Sequence, residues 1–266
     1  MVLAIAGGVA CLSYGSSTYL LVNGLRQHAL NRRLILTLGC IALLAHGLMV
    51  FNSLFKPEGL QLGAISMASL FMWVVVTLGT ASCLFRRIEP LLAPSYPLAL
   101  LTVLIELCYT DTTLPSTGLS RGMLFHIASS LMAYSVMTLA FSQAVLIWIQ
   151  NYQLKHRHIH DILKILPPLQ TMEDTLFDLV FAGFGLLTMA ILTGFLYVDD
   201  VFAQHLAHKT ALTMLAWLVL ATLILGRFLW GWRGMIAVRW TLTGFILLLL
   251  GFFGSKVVLE FILQRG

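Results

Sequence analysis

The chain has 266 residues, 59% of them hydrophobic and only 10% charged, with a mean hydropathy of +0.91. Soluble domains carry about 25% charged residues, so this chain lacks the polar side chains to cover a water-facing surface. That excludes a soluble enzyme, a nucleic-acid-binding domain and a secreted disulfide scaffold, and the net charge of +5 matters less than how it is shared between loops.

A bilayer span takes about 20 mostly apolar residues, and charges and turn formers divide this chain into eight such runs. The first, 2–24, has no charged segment ahead of it, and its basic flank (Arg26, Arg32, Arg33) follows it. That order predicts a retained transmembrane helix with its far end in the cytoplasm, not a cleaved signal. The second, 34–54, carries His46 near its middle and ends at KPEG, 56–59. The third, 64–85, stops at Arg86 and Arg87, and the fourth, 90–109, holds Glu106 near its end. After a Thr/Pro/Ser loop at 110–120, the fifth run, 122–148, opens with His126 in its first turns. A polar segment at 150–174 comes next, with Pro167 and Pro168 expected to break it before the sixth run, 175–197. Asp199 and Asp200 separate that run from the seventh, 210–229, and GWRG at 231–234 precedes the eighth, 240–262.

Lipid leaves backbone groups no outside partner, so each run is predicted to be an α-helix. The expected fold is all-α: one polytopic membrane domain over 1–266 with eight transmembrane helices. Orientation follows the asymmetry of Lys and Arg. The loops after runs one, three, five and seven hold 11 of the 16 basic residues, leaving 5 for the other side (Lys56, Arg121, Lys209, Lys256, Arg265). Both termini are therefore expected outside, in the periplasm of a Gram-negative cell.

Ionisable groups at membrane depth are costly and mark function by default. His46 and His126 are the two histidines so placed. Neutral imidazole is an axial ligand for haem iron; equally, a lone intramembrane histidine can hydrogen-bond to a neighbouring helix. From their positions along the runs, the two differ in height by about 8–10 Å, which strains any shared bis-histidine site. Lys256 and Glu260, one turn apart, are expected to pair near the outer interface. His156, His158 and His160 would share one face of a strand but spread round a helix, and beside Lys155 and Arg157 they read as a solvated basic loop near anionic lipid. Cys11, Cys40, Cys83 and Cys108 lack CxxC or zinc-ligand spacing and read as small apolar residues.

From about 120 onward the residues support more. GMLFHIASSLMAYS (122–135), PPLQTMEDTLF (167–177), GFGLLTMAILTGFLY (183–197), WLVLATLILGRFLWGWRG (217–234) and LGFFGSKVV (250–258) occur in this order. The chain thereby resembles the haem-handling cytochrome c assembly family of the CcsA and CcmC type, most of all its short YpjD-type inner-membrane branch. The first 110 residues match mainly in hydropathy and in His46. The resemblance implies a bacterial inner-membrane protein that holds or passes haem near the periplasmic face without catalytic turnover. It implies His126 as first haem ligand and His46 as its partner from an earlier span. Three features of those relatives differ here. Their tryptophan-rich periplasmic segment falls on VDDVFAQHLAHKT (198–210), which has no Trp and offers His205 and His208 instead. Their second periplasmic histidine falls near Leu263 and Gln264. An inner-side histidine is replaced by Gly226. The alternative is therefore an accessory or regulatory subunit of another membrane protein with an eroded haem site. The expected partners are lipid, haem and another inner-membrane protein, with no nucleic acid.

Overall fold

The computed structural model describes residues 2–27, 30–57, 59–86, 88–109, 118–155, 166–197 and 204–251. The described chain is helical but for one short hairpin. The helices are α1 (Val2–Gln27), α2 (Arg32–Leu54), α3 (Ala64–Phe85), α4 (Leu92–Cys108), α5 (Arg121–Lys155), α6 (Leu169–Tyr197), α7 (Gln204–Trp230) and α8 (Met235–Leu249). A 3₁₀ turn, Glu89–Leu91, leads into α4, and β1 (Phe55–Lys56) pairs antiparallel with β2 (Gly59–Leu60) where KPEG reverses the chain. Seven helices are long and apolar enough to cross a membrane, and α8 is a shorter apolar helix. This is the eight-helix count expected from hydropathy.

Before the end of α8, four boundaries differ from the apolar runs by five residues or more, one of them the start of α8 at Met235, where the run was expected from 240. Helix α5 continues to Lys155 and α6 begins at Leu169, so much of the polar stretch 150–174 is helical. Polarity ends a hydrocarbon span but does not by itself end a helix, and Pro167 and Pro168 immediately precede α6. Helix α7 likewise starts at Gln204, putting His205 and His208 on its first turns and not in a loop. Residues 156–165 and 252–266, with the three alternating histidines and the Lys256–Glu260 pair, lie outside the described residues.

The chain forms two compact units, one of Met1–Leu119 with Tyr152–Pro168, the other of Ser120–Asn151 with Leu169–Gly266. In the first unit, α1 packs on α2 and α4, and α3 packs on α4 and α2. Gly39 admits the Tyr96 hydroxyl against α2, where any Cβ would clash with it. Trp73 lies over Gly47 and donates its indole N–H to the Leu43 carbonyl at 2.9 Å. At the end where α2 and α4 begin, Arg32 Nε contacts Glu89 Oε1 at 2.6 Å and its guanidinium also donates to the Cys83 carbonyl. The Asn31 side chain caps α2 by accepting from the Leu34 amide. Most hydroxyls within the spans, such as Thr18, Thr77 and Ser82, donate to the carbonyl four residues back, which is how polar side chains are accommodated without a partner helix.

The second unit contains α5–α8. Gly183 leaves room for Met137 between α5 and α6, Gly244 seats Leu220 between α7 and α8, and Phe141 meets Phe245 with ring centroids 4.6 Å apart. Buried Gln143 ties α5 to α6 by donating to the Met172 carbonyl at 3.0 Å. The GWRG turn reverses the chain on two left-handed glycines, Gly231 (φ 65°) and Gly234 (φ 60°). It folds Trp232 back over Gly226, whose carbonyl accepts the Trp232 amide at 3.1 Å. Trp232 also stacks between Trp230 and Trp240, at 5.8 and 5.4 Å. Arg227 lies 4.4 Å from the centre of the Phe177 ring and 4.0 Å from Asp174.

Candidate functional site

Each unit holds one of the two intramembrane histidines, in opposite chemical settings. His126 occupies the second turn of α5 and is half-buried. Its Nδ1 lies 2.9 Å from the Ala190 carbonyl and 3.3 Å from Thr193 Oγ1, both on α6. A carbonyl only accepts, so Nδ1 carries the proton and Nε2 keeps its lone pair. No described residue hydrogen-bonds to that lone pair. Thr193 donates its own hydroxyl proton to the Met189 and Ala190 carbonyls, at 2.8 and 3.1 Å, which leaves its oxygen free to accept from His126.

The local sequence builds this placement. Gly194 presents no side chain to the imidazole; a Cβ there would come within 3.0 Å of His126 Cε1. Gly122 lets Tyr197 lie against the first turn of α5. Two residues along α6 from Ala190, Thr188 accepts the Trp217 indole N–H at 2.9 Å, and Trp217 stacks on Phe184 at 5.3 Å, closing the aromatic floor between α6 and α7. Lys209, on α7, stands within electrostatic range of His126. An anchored Nδ1–H with an open Nε2 is the arrangement that metal-ligating histidines adopt, because the outer hydrogen bond fixes tautomer and ring orientation. The donor set fits one axial bond to haem iron through Nε2.

His46 is fully buried within the first unit and has both nitrogens engaged. Nδ1 lies 3.2 Å from the Tyr14 hydroxyl and Nε2 lies 2.9 Å from Ser69 Oγ. Ser69 in turn donates to Glu106 Oε2. Because Ser69 spends its proton on the carboxylate, its oxygen accepts from Nε2–H, and the Tyr14 hydroxyl faces Nδ1. Iron could reach His46 only by displacing Ser69 or Tyr14. The residue types therefore led to both histidines, whereas Tyr14 and Ser69 were missed. The available signal was a hydroxyl residue inside each flanking apolar run, Tyr14 in 2–24 and Ser69 in 64–85.

Of the remaining candidates, His208 is exposed and the His205 side chain lies outside the described residues. Among the described residues, no group of three or more His, Cys, Asp or Glu could hold a metal ion. All four cysteines are free, with Cys83 buried, Cys40 and Cys108 exposed and Cys11 between.

Fold and site together define a multi-pass α-helical membrane protein with an intramembrane histidine tethered at the α5–α6 contact. The family model of the cytochrome C assembly protein matches residues 34–263, and the chain belongs to that family. It is 30% identical to inner membrane protein YpjD of Escherichia coli K12 over 258 residues, 96% of this chain and 97% of that one. It is 22% identical to protein HemX of Brevibacillus brevis over 227 residues, 79% of this chain and 84% of the relative. A 28.8 kDa protein of Azospirillum brasilense is 29% identical over 140 residues, about half of each chain. No solved structure matches the chain significantly. The chain is a multi-pass inner-membrane protein.

Proposed function

We propose that this protein binds haem at the end of its second unit where α5 begins, with His126 as the axial ligand. It holds or passes the haem and has no catalytic turnover of its own. The observation that carries this reading is the His126 imidazole, tethered through Nδ1 to Ala190 and Thr193 with Nε2 open. Haem would supply an iron centre that takes the Nε2 lone pair. The chain's part is to hold the ring in one tautomer, bring Trp217 and Phe184 to an apolar face, and set Lys209 within reach of a carboxylate. Membership of the cytochrome C assembly family supports the same reading. In the orientation that the basic residues favour, this end of α5 faces the periplasm and both termini are periplasmic.

Protein purified from haem-sufficient membranes should be coloured, with a strong Soret band. His126→Ala should remove or shift that band while leaving the fold intact, since losing one hydrogen bond near a helix end costs about 0.5–1.5 kcal/mol. His46→Ala should leave the band in place. A colourless wild-type protein after haem supplementation would overturn the proposal. The second reading, an accessory or regulatory subunit, would then stand. It draws on Gly226, where Trp232 fills the space that the resemblance assigns to a histidine.

A further inference from the structure

The four groups of the first unit form a line with one member from each helix: Tyr14 from α1, His46 from α2, Ser69 from α3 and Glu106 from α4. Tyr14, His46 and Ser69 are fully buried. Glu106 sits two residues before the end of α4, beside exposed Cys108 and Tyr109. A set of isolated buried polar groups would each seek a nearby carbonyl, as Thr18 and Thr77 do. Here they are instead joined head to tail across the bundle, from its interior to one end.

Two details show what the line is chemically suited to do. Glu106 Oε1 is buried without a hydrogen-bond partner, so the line ends on a carboxyl oxygen that no donor satisfies. At the other terminus, the Tyr14 hydroxyl can donate to Nδ1 or accept from it, and so serves either tautomer of His46. No ion pair to Glu106 forms among the described residues. The helices around it contribute Cys11 and Tyr14 from α1, Cys40 and His46 from α2, Cys83 from α3 and Tyr96 from α4. Arg32 and Glu89 pair at the opposite end of the unit, about 25 Å along α4.

We propose that Tyr14, His46, Ser69 and Glu106 form an intramembrane proton-transfer site, in which Glu106 exchanges a proton with the aqueous face and shares it with His46 through Ser69. Without that proton, Nδ1–H faces the Tyr14 oxygen, and the single Ser69 proton can serve only one of the Glu106 carboxylate and the Nε2 lone pair. With it, two arrangements interconvert. In one, neutral Glu106 donates to Ser69 Oγ, Ser69 donates to Nε2, and Nδ1–H faces the Tyr14 oxygen. In the other, the carboxyl proton has moved to Ser69 as the Ser69 proton moved to Nε2, leaving carboxylate and imidazolium. Only O–H and N–H bonds change, one proton crosses from carboxyl to imidazole, and no redox partner is needed. The proposal is independent of haem binding at His126.

The test uses the full-length protein in lipid bilayers, with 15N-labelled histidine read by solid-state NMR and the Glu106 carboxyl stretch read by infrared spectroscopy. His46→Gln and Glu106→Gln assign the two signals. The expected result is a neutral His46 carrying its proton on Nδ1 at high pH, changing with the same midpoint at which the carboxyl band rises. Ser69→Ala should separate the two midpoints, and Ser69→Thr, which keeps the hydroxyl, should rejoin them. A His46 signal that stays constant while Glu106 protonates would overturn the proposal. So would a His46 signal that titrates identically in Glu106→Gln, a measurement that holds even if Ser69→Ala does not fold.

Discussion

The contrast between two histidines of one chain is a matter of single atoms. Both are imidazoles in apolar surroundings, yet one has a free nitrogen and the other has none. Gly194 is what leaves the first ring its place. A valine there would press on His126 Cε1, which a Cβ already approaches to 3.0 Å, and overpacking of this kind costs about 1–3 kcal/mol. Gly194→Val should therefore lower haem retention, read as Soret absorbance per protein. Gly185→Val, on the same helix with nothing within 4 Å of its Cβ, should not. Equal loss from both would mean that helix α6, and not the seat of the ring, limits binding. Neither histidine's setting was legible along the chain. The partners of His126 lie 64 and 67 residues away, and those of His46 lie 32 and 23 residues away on other helices. Residue type marked the positions, and tertiary contact decided their chemistry.

At the level of elements, hydropathy located every helix because a membrane span must be both long and apolar, and that pattern is local. It located the ends less well where a helix leaves the hydrocarbon, as α5 does toward Lys155 and α7 does at Gln204. The contact that joins α2, α3 and α4 at one end was also hidden, although both charges were in plain view. Glu89 has 8% of its side chain exposed and Arg32 has 38%. Removing one member of a buried pair leaves the other charge uncompensated, at about 3–5 kcal/mol. The exposure of Arg32 puts the expected cost at the lower end of that range. Arg32→Ala should lower the thermal midpoint in detergent, and Arg32→Ala with Glu89→Gln should recover part of the loss. A double variant no better than the single one would show that Glu89 is not what Arg32 neutralises.

For the molecule as a whole, the helix count agrees with what hydropathy implied and the family with what the motifs from 122 onward resembled, whereas orientation rests on charge alone. The bias of 11 basic residues against 5 is a property of loops relative to the translocation machinery and leaves no mark on helix packing. A periplasm-dependent reporter fused to the C-terminus should therefore be active, and a cytoplasm-dependent one silent. The reverse pattern would turn His126 toward the cytoplasm, and the haem proposal would then concern the other face of the membrane. Topology mapping is thus the measurement that ties the site to a compartment.

The seating of Trp232 over Gly226 constrains which residues position 226 can accept. Any side chain at 226 meets the indole, and the indole is itself held by Trp230, Trp240 and the backbone of the glycine turn. A histidine could not be seated there by a single exchange, because it would first have to evict a ring whose neighbours are packed around it. At least two coordinated substitutions are needed, the first of them disruptive by itself. Position 226 is therefore guarded less by its own residue than by the ring that lies above it.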